Sequence, residues 1–395
     1  MEKKFTSFRG RLDKLRSRNM LIPKDSSRER NIIKKNNYYN LINGYKDPFL
    51  VDKNNYPAGY PQNEDLYITG TKPSHLEALM EFDQNLRNIF LIKILKIEDI
   101  IKNEIVQSFY DYHTSLSGSS KSLHRESEYL RREYYDLDKV KTSTIFEKSG
   151  YQWTYIHEYS TTTCPSNNGY LYVKSGYIIN KKKYYDGFLS IVYRTMGNQR
   201  EKNKSIESYL DNHRYLPMWV LINILTFGNV STFYQVQKEE VQKEFSRRLE
   251  LQTSNPIFKE DEINIGNIIH ILGLFRNVCA HNERMYCIQV KSPIDDYYKS
   301  FGESLPFFSD VEACRLKKAN LNKAKSKKRR NARHGIYSGM FAISLFLNRR
   351  DLNKFKSEIS KELQTLQNRI SDTSYQEVIK IMGLNFNWQD LLIKR

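Results

Sequence analysis

The stretch NIGNIIHILGLFRNVCAHNE, Asn264 to Glu283, decides how the rest of this chain is read. Ile268, Ile271, Leu272, Phe275 and Cys279 recur at the three- and four-residue steps of a single apolar helix face. At about 100° per residue, Asn277 and His281 project from nearly the opposite side, as i,i+4 neighbours. His270, Gly273 and Leu274 share or flank that second face, and Arg276 stands at its edge. A face carrying His, Asn and Arg beside a glycine and a leucine is a surface built to meet something closely.

Upstream lies a stronger helix signal. Leu79, Phe82, Leu86, Ile89, Ile97, Ile100 and Ile101 follow Pro73-Ser74, and Ser74 with Glu77 has capping-box spacing. Unbroken from Ser74 to about Thr114, that helix is about 60 Å long and bends or spans a whole bundle. Residues 1–70 read as a basic helical and loop segment. Residues 115–205 read as a Tyr-, Thr- and Ser-rich insertion, with short strands or irregular chain over Tyr151–Tyr193 rather than long helices. Helical spacing resumes at Leu216, restarts at Ser231, and returns in an apolar helix, Tyr337–Leu347, and an amphipathic one from about Asp351 to Ile381. The expectation is a mainly α protein: a helical bundle over 71–300 with a partly β or irregular insertion, then a basic loop and C-terminal helices over 301–395.

Composition narrows the partners. The 395 residues carry 63 Lys+Arg against 45 Asp+Glu, a formal charge of +18, which favours an anionic partner. The 28 Tyr and 20 Phe are too much apolar surface for a disordered chain. No apolar run reaches the ~18–20 residues of a membrane span, and the basic N-terminus lacks a signal-peptide core, so the expected location is cytoplasmic. Cys164, Cys279, Cys287 and Cys314 contain no CxxC pair, and free thiols are expected rather than a zinc site or disulfide framework. Neither a phosphate-binding glycine loop nor a HExxH helix is present.

The groups on the second face of the 264–283 helix suit one reaction in particular. Histidine gives or takes a proton near neutrality. Arginine grips a phosphate through paired donors. Asparagine can orient a phosphate oxygen or a ribose hydroxyl. Together they fit metal- and cofactor-free RNA cleavage by the 2′-hydroxyl. In-line displacement needs both a base and an acid, yet His270 is about three turns from His281. Two copies of the chain, with these helices facing across a two-fold axis, supply the second imidazole. An Arg-x(4–6)-His pattern alone is common. Arg329…His334 also matches it, but beside Lys325–Arg333 almost any histidine would.

Phe275-Arg276-Asn277-Val278-Cys279-Ala280-His281-Asn282 resembles the Arg-Asn-x-x-x-His signature of HEPN ribonucleases, in the form found in abortive-infection proteins of the Abi D/F type. Asn37 to Tyr45 with Pro48-Phe49 resembles that family's Tyr-rich turn. Phe82-Asp83 through Leu86-Arg87 to Ile97-Glu98 is similar to its first long helix, Leu216 to Val220 with Thr226 to Gly228 to its Pro-x-Trp helix, and Met382-Gly383 with Asn387-Trp388 to its C-terminal close. Asn223 stands where many relatives carry Glu. The resemblance implies a homodimeric, metal-independent endoribonuclease toxin of phage defence, held in check by a structured non-coding RNA. Arg276 would contact the scissile phosphate, Asn277 would orient it or the ribose, and His281 would be the acid/base. His270 is a supporting candidate. Glu98 either orients Arg276 or His281, or is a solvated charge paired with Lys102 at i+4.

The run Lys317, Lys318, Lys323, Lys325, Lys327, Lys328, Arg329, Arg330 and Arg333 is expected to bind an RNA backbone. The Tyr/Lys mixture of 170–194 either stacks bases or packs within the insertion. Two non-enzymatic readings stay open: an RNA-binding protein whose helix merely packs a dimer, and an interaction scaffold.

Overall fold

A computed structural model describes residues 5–116, 127–137, 139–149, 152–158, 172–213, 215–249, 265–290, 335–384 and 388–389. The protein is mainly helical. Its described α-helices are α1 (Phe8–Ser17), α2 (Ser27–Lys35), α3 (Pro73–Leu116), α4 (Lys181–Arg200), α5 (Lys204–His213), α6 (Met218–Ile224), α7 (Phe227–Val236), α8 (Glu239–Arg248), α9 (Ile265–Ala280), α10 (Ile336–Ser344), α11 (Arg349–Gln367) and α12 (Asp372–Met382). Strands β1 (Lys139–Ser149), β2 (Gln152–Glu158) and β3 (Tyr172–Asn180) form an antiparallel sheet ordered β2-β1-β3.

Helix α3 is the spine. Leu76, Leu79, Phe82, Leu86, Phe90, Ile94, Ile97, Ile101, Ile105 and Phe109 are all buried. Their steps of three and four average close to one helical turn, so the stripe keeps to one side along the whole length. Against α3 lie α2, α6, α8, α9 and α11. Polar contacts fix the register with α11: Arg369 to Glu81 at 2.5 Å, Asn85 to Glu362 at 2.8 Å and Lys96 to Asp351 at 3.1 Å. The pairings run in opposite chain directions, so α3 and α11 are antiparallel. Helix α10 is buried on every face, and its two serine hydroxyls bond backbone carbonyls at 2.7 Å. The described core is one contiguous cluster from Leu12 to Trp388.

Several sequence expectations shift. The insertion's β character ends at Asn180, and Lys181–Arg200 is a 20-residue helix rather than irregular chain. The helix expected from Ser231 begins at Phe227, because the Thr226 hydroxyl accepts from Asn229 N and caps it there. The helix expected over 351–381 is two, α11 and α12. Ser371 caps the second by accepting from Ser374 N. The capping box of α3 does not form. Pro73 takes the first helical position, and the Ser74 amide donates instead to Glu29 Oε2 of α2 at 2.9 Å. Glu77 accepts from Asn36 Nδ2 at 3.4 Å.

Candidate active site

Helix α9 is wedged between α3, α7 and α10. Ile265, Gly266, Ile268, Ile269, Ile271, Leu272, Phe275, Val278 and Cys279 are buried, so the apolar arc is broader than the stripe read from spacing. The exposed remainder is narrow: His270, Asn277, Ala280 and His281, with Asn267, Gly273, Leu274 and Arg276 half-buried. Phe275 is the anchor. Its ring stacks on Phe90 of α3 at 5.8 Å between centroids, and a Cβ on Gly339 of α10 would stand 2.7 Å from it. The residue before Arg276 thus sets the depth of the whole motif.

The helix ends at the motif. Asn282 has φ +53°, in the left-handed region that asparagine tolerates. Glu283 N donates to Val278 O at 3.1 Å, the six-to-one bond of a Schellman close. His281 is therefore the helix cap, with its amide on Asn277 O at 2.9 Å, and its ring is exposed.

What holds this turn is a carboxylate to which the sequence pattern gave no task. Asp83 of α3 is buried and accepts from the amides of Met285 and Tyr286 at 2.9 and 2.7 Å, and from the Tyr45 hydroxyl at 3.0 Å. Arg87, one turn on, pairs with it and also donates to Glu283 O at 3.2 Å. Burial raises the Asp83 pKa, while Arg87, the two amides and the phenol pull it down. Arg284 Nη1 donates to Gly44 O at 2.9 Å, which ties the same turn to the N-terminal segment. An acid and a base at i,i+4 within an apolar helix stripe were the available signal.

Arg276 and Glu98 come together. Arg276 Nε lies 3.9 Å from Glu98 Oε2, and both atoms are buried without a hydrogen-bond partner. The other oxygen, Oε1, holds Lys102 Nζ at 2.8 Å. The i,i+4 pair expected of Glu98 thus exists. Its solvation does not, since the Glu98 side chain is only 7% exposed. Asp83 meets Tyr286 and Phe90 meets Phe275, so α3 and α9 are antiparallel. Glu98, two turns beyond Phe90, draws Arg276 toward the start of α9 and away from His281.

The other candidates scatter. His270 is exposed on the same strip, with its pKa lowered by partial burial, about three turns from His281. The basic residues Lys317 to Arg333 lie outside the described residues. Asn223 is exposed and turns back to its own helix, donating from Nδ2 to Trp219 O at 2.9 Å. Cys279 is a buried free thiol pushed up to about 12 by burial. Among the described residues no three His, Cys, Asp or Glu side chains converge as a metal site, and no helix is long and apolar enough to cross a membrane.

Beside the motif a cleft of about 930 Å³ opens between the end of α9 and a single π-turn, Tyr39–Asn43. Asn277, Asn282, Asn40 and Asn43 are among the residues lining it. The sequence presented this turn as a Tyr-rich segment with no assigned task.

Comparison with known proteins adds one match. The family model for Abi-like proteins fits residues 31–287, about two thirds of the chain, and takes in the Tyr39 turn, α3 and the whole of α9. No curated protein and no solved structure matches. The chain belongs to the Abi-like protein family.

Proposed function

We propose that this protein is a metal-independent HEPN endoribonuclease of the Abi D/F type, acting as a homodimeric toxin in abortive infection. Arg276 holds the scissile phosphate, Asn277 orients it or the adjoining ribose, and His281 moves the protons. One imidazole takes the 2′-hydroxyl proton as O2′ bonds to phosphorus. The bond from phosphorus to O5′ breaks, and a second imidazole protonates that oxygen. The products are a 2′,3′-cyclic phosphate and a 5′-hydroxyl. DNA has no 2′-hydroxyl and is refractory.

The observation that carries this reading is that Arg276, from the helix whose open strip bears Asn277 and His281, meets the buried Glu98 carboxylate of α3. At 3.9 Å, the contact between Arg276 Nε and Glu98 Oε2 is longer than a hydrogen bond. Such contacts are often long before substrate binds and tighten in the reacting complex. Glu98 leaves the Nη groups for phosphate. Because Arg276 is drawn away from His281, the shared site of this proposal takes Arg276 from one copy and His281 from the other.

The test is cleavage of total RNA in EDTA by wild type, Arg276→Ala and His281→Ala. Cutting by wild type alone, with RNA retention kept in both variants, supports the reading. Folded wild type, freed of bound nucleic acid, that does not cut overturns it in favour of a non-catalytic RNA-binding protein. A structured non-coding RNA as regulating partner is part of the proposal, and an elevated ultraviolet absorbance ratio of the purified protein would reveal it.

A further inference from the structure

We infer that the cleft between Tyr39–Asn43 and the end of α9 is a seat for one unpaired nucleobase of the RNA, next to the bond that is cut. This rests on the ribonuclease reading for its consequence, but not for its binding chemistry.

The groups that are free in the cleft select the ligand. Asn40, Asn43, Asn277 and Asn282 are exposed there, and none of their side-chain amides bonds another described residue. Of the cations nearby, Arg87 is taken by Asp83 and Glu283 O and Arg284 commits its Nη1 to Gly44 O, while Glu283, also on the cleft, adds a carboxylate that repels a phosphate. A phosphate site would hold its guanidinium groups free. Amides instead offer paired donors and acceptors, the complement of a base edge, with asparagine suited to adenine. Tyr39, with 71% of its surface exposed, supplies a ring on which a base can stack. Stacking on that ring needs a base splayed out of its own helix, so the occupant is single-stranded.

Position and rigidity point the same way. Asn277 belongs both to this cleft and to the motif, and Asn282 directly follows His281. A base seated here brings its own ribose-phosphate toward His281. Both walls hang on Asp83, which binds Tyr45 on one side and the Met285 and Tyr286 amides on the other. The seat is therefore formed before ligand arrives, which lowers the ordering cost of binding. About 930 Å³ lies at the upper end for small-ligand sites, enough for a nucleotide and the start of its neighbour.

Two measurements test this. First, a pool of single-stranded RNAs with randomised sequence is cut in EDTA by wild type, Tyr39→Ala and Asn43→Ala, and the cut sites are sequenced. Wild type should favour one base about tenfold or more within two nucleotides of the cut, and Asn43→Ala should flatten that preference. Both substitutions are at exposed side chains, so the fold is kept. Second, a labelled single-stranded hexanucleotide pool is titrated onto His281→Ala with and without Tyr39→Ala or Asn43→Ala. The second substitution should weaken binding about fivefold or more. An unchanged preference, or unchanged hexanucleotide affinity, overturns the seat. If wild type cuts nothing but Asn43→Ala still weakens the hexanucleotide, the seat stands and the ribonuclease reading falls.

Discussion

Asn282 illustrates how much one backbone angle decides. With φ at +53° it lets the chain leave α9 immediately after His281. A β-branched residue there should cost about 1–2 kcal/mol, so Asn282→Val should lower the urea midpoint while Asn282→Gly leaves it nearly unchanged. Glu98 allows a cleaner separation of roles. Glu98→Gln leaves Lys102 charged in a buried place, and a loss of about 3–5 kcal/mol is expected. Adding Lys102→Met should return much of that stability. On the proposed ribonuclease mechanism, cleavage rate should stay at least about tenfold down in the double variant, because Arg276 would no longer have a carboxylate to aim it. If rate and stability return together, Glu98 serves the fold alone. The Arg276, Asn277 and His281 triplet was legible from spacing and motif. Glu98 was named there as a candidate partner, but its burial was not legible: an i,i+4 Glu98–Lys102 pair looks the same in sequence whether solvated or buried.

Among elements, α9 is held by Phe275, and Phe275 is held by the absence of a side chain at Gly339. Because a Cβ there would stand 2.7 Å from the ring, Gly339→Ala should destabilise by about 1–3 kcal/mol through overpacking. Phe275→Leu combined with Gly339→Ala should recover part of the loss, and both are read from chemical denaturation. The long run of α3 and the apolar stripe of α9 were plain in the sequence, since a sustained three- and four-residue period has no other good explanation. The starts were not. Ser74 and Glu77 have the letters of a capping box, yet Glu29 takes the Ser74 amide and Asn36 donates to Glu77, both from outside α3. Only local chain competes for a cap in a sequence, whereas any neighbour competes in the fold.

For the whole molecule, acid is the informative perturbation. His113 is buried among Phe109, Tyr112 and Tyr134, with centroid distances of 4.7, 5.1 and 4.6 Å. Burial first, and Lys238 second, lower its pKa from 6.5 to about 4. A lowered folded-state pKa means that the unfolded chain binds this proton first. The contribution is therefore intact above pH 6.5 and disappears as pH falls from there toward 4, by about 3 kcal/mol. His113→Phe should flatten that slope in pH-dependent denaturation. The proposed RNA binding should respond to salt instead, with log affinity falling linearly in log salt. Neutralising the Lys317–Arg333 run should reduce that slope by about 0.7 for each phosphate whose charge is then left unmatched.

From its residues alone this chain is a basic, helix-rich protein with one long spine, and one helix face that gathers Arg, Asn and His. Periodicity and charge are properties of neighbouring residues along the chain, so they survive without coordinates. The burial of Glu98, the task of Asp83 and the amide-lined cleft exist only in three dimensions. Each joins segments about 180 to 240 residues apart, and only the packing of α9 and of the Tyr39–Asn43 turn against α3 brings their donors and acceptors together.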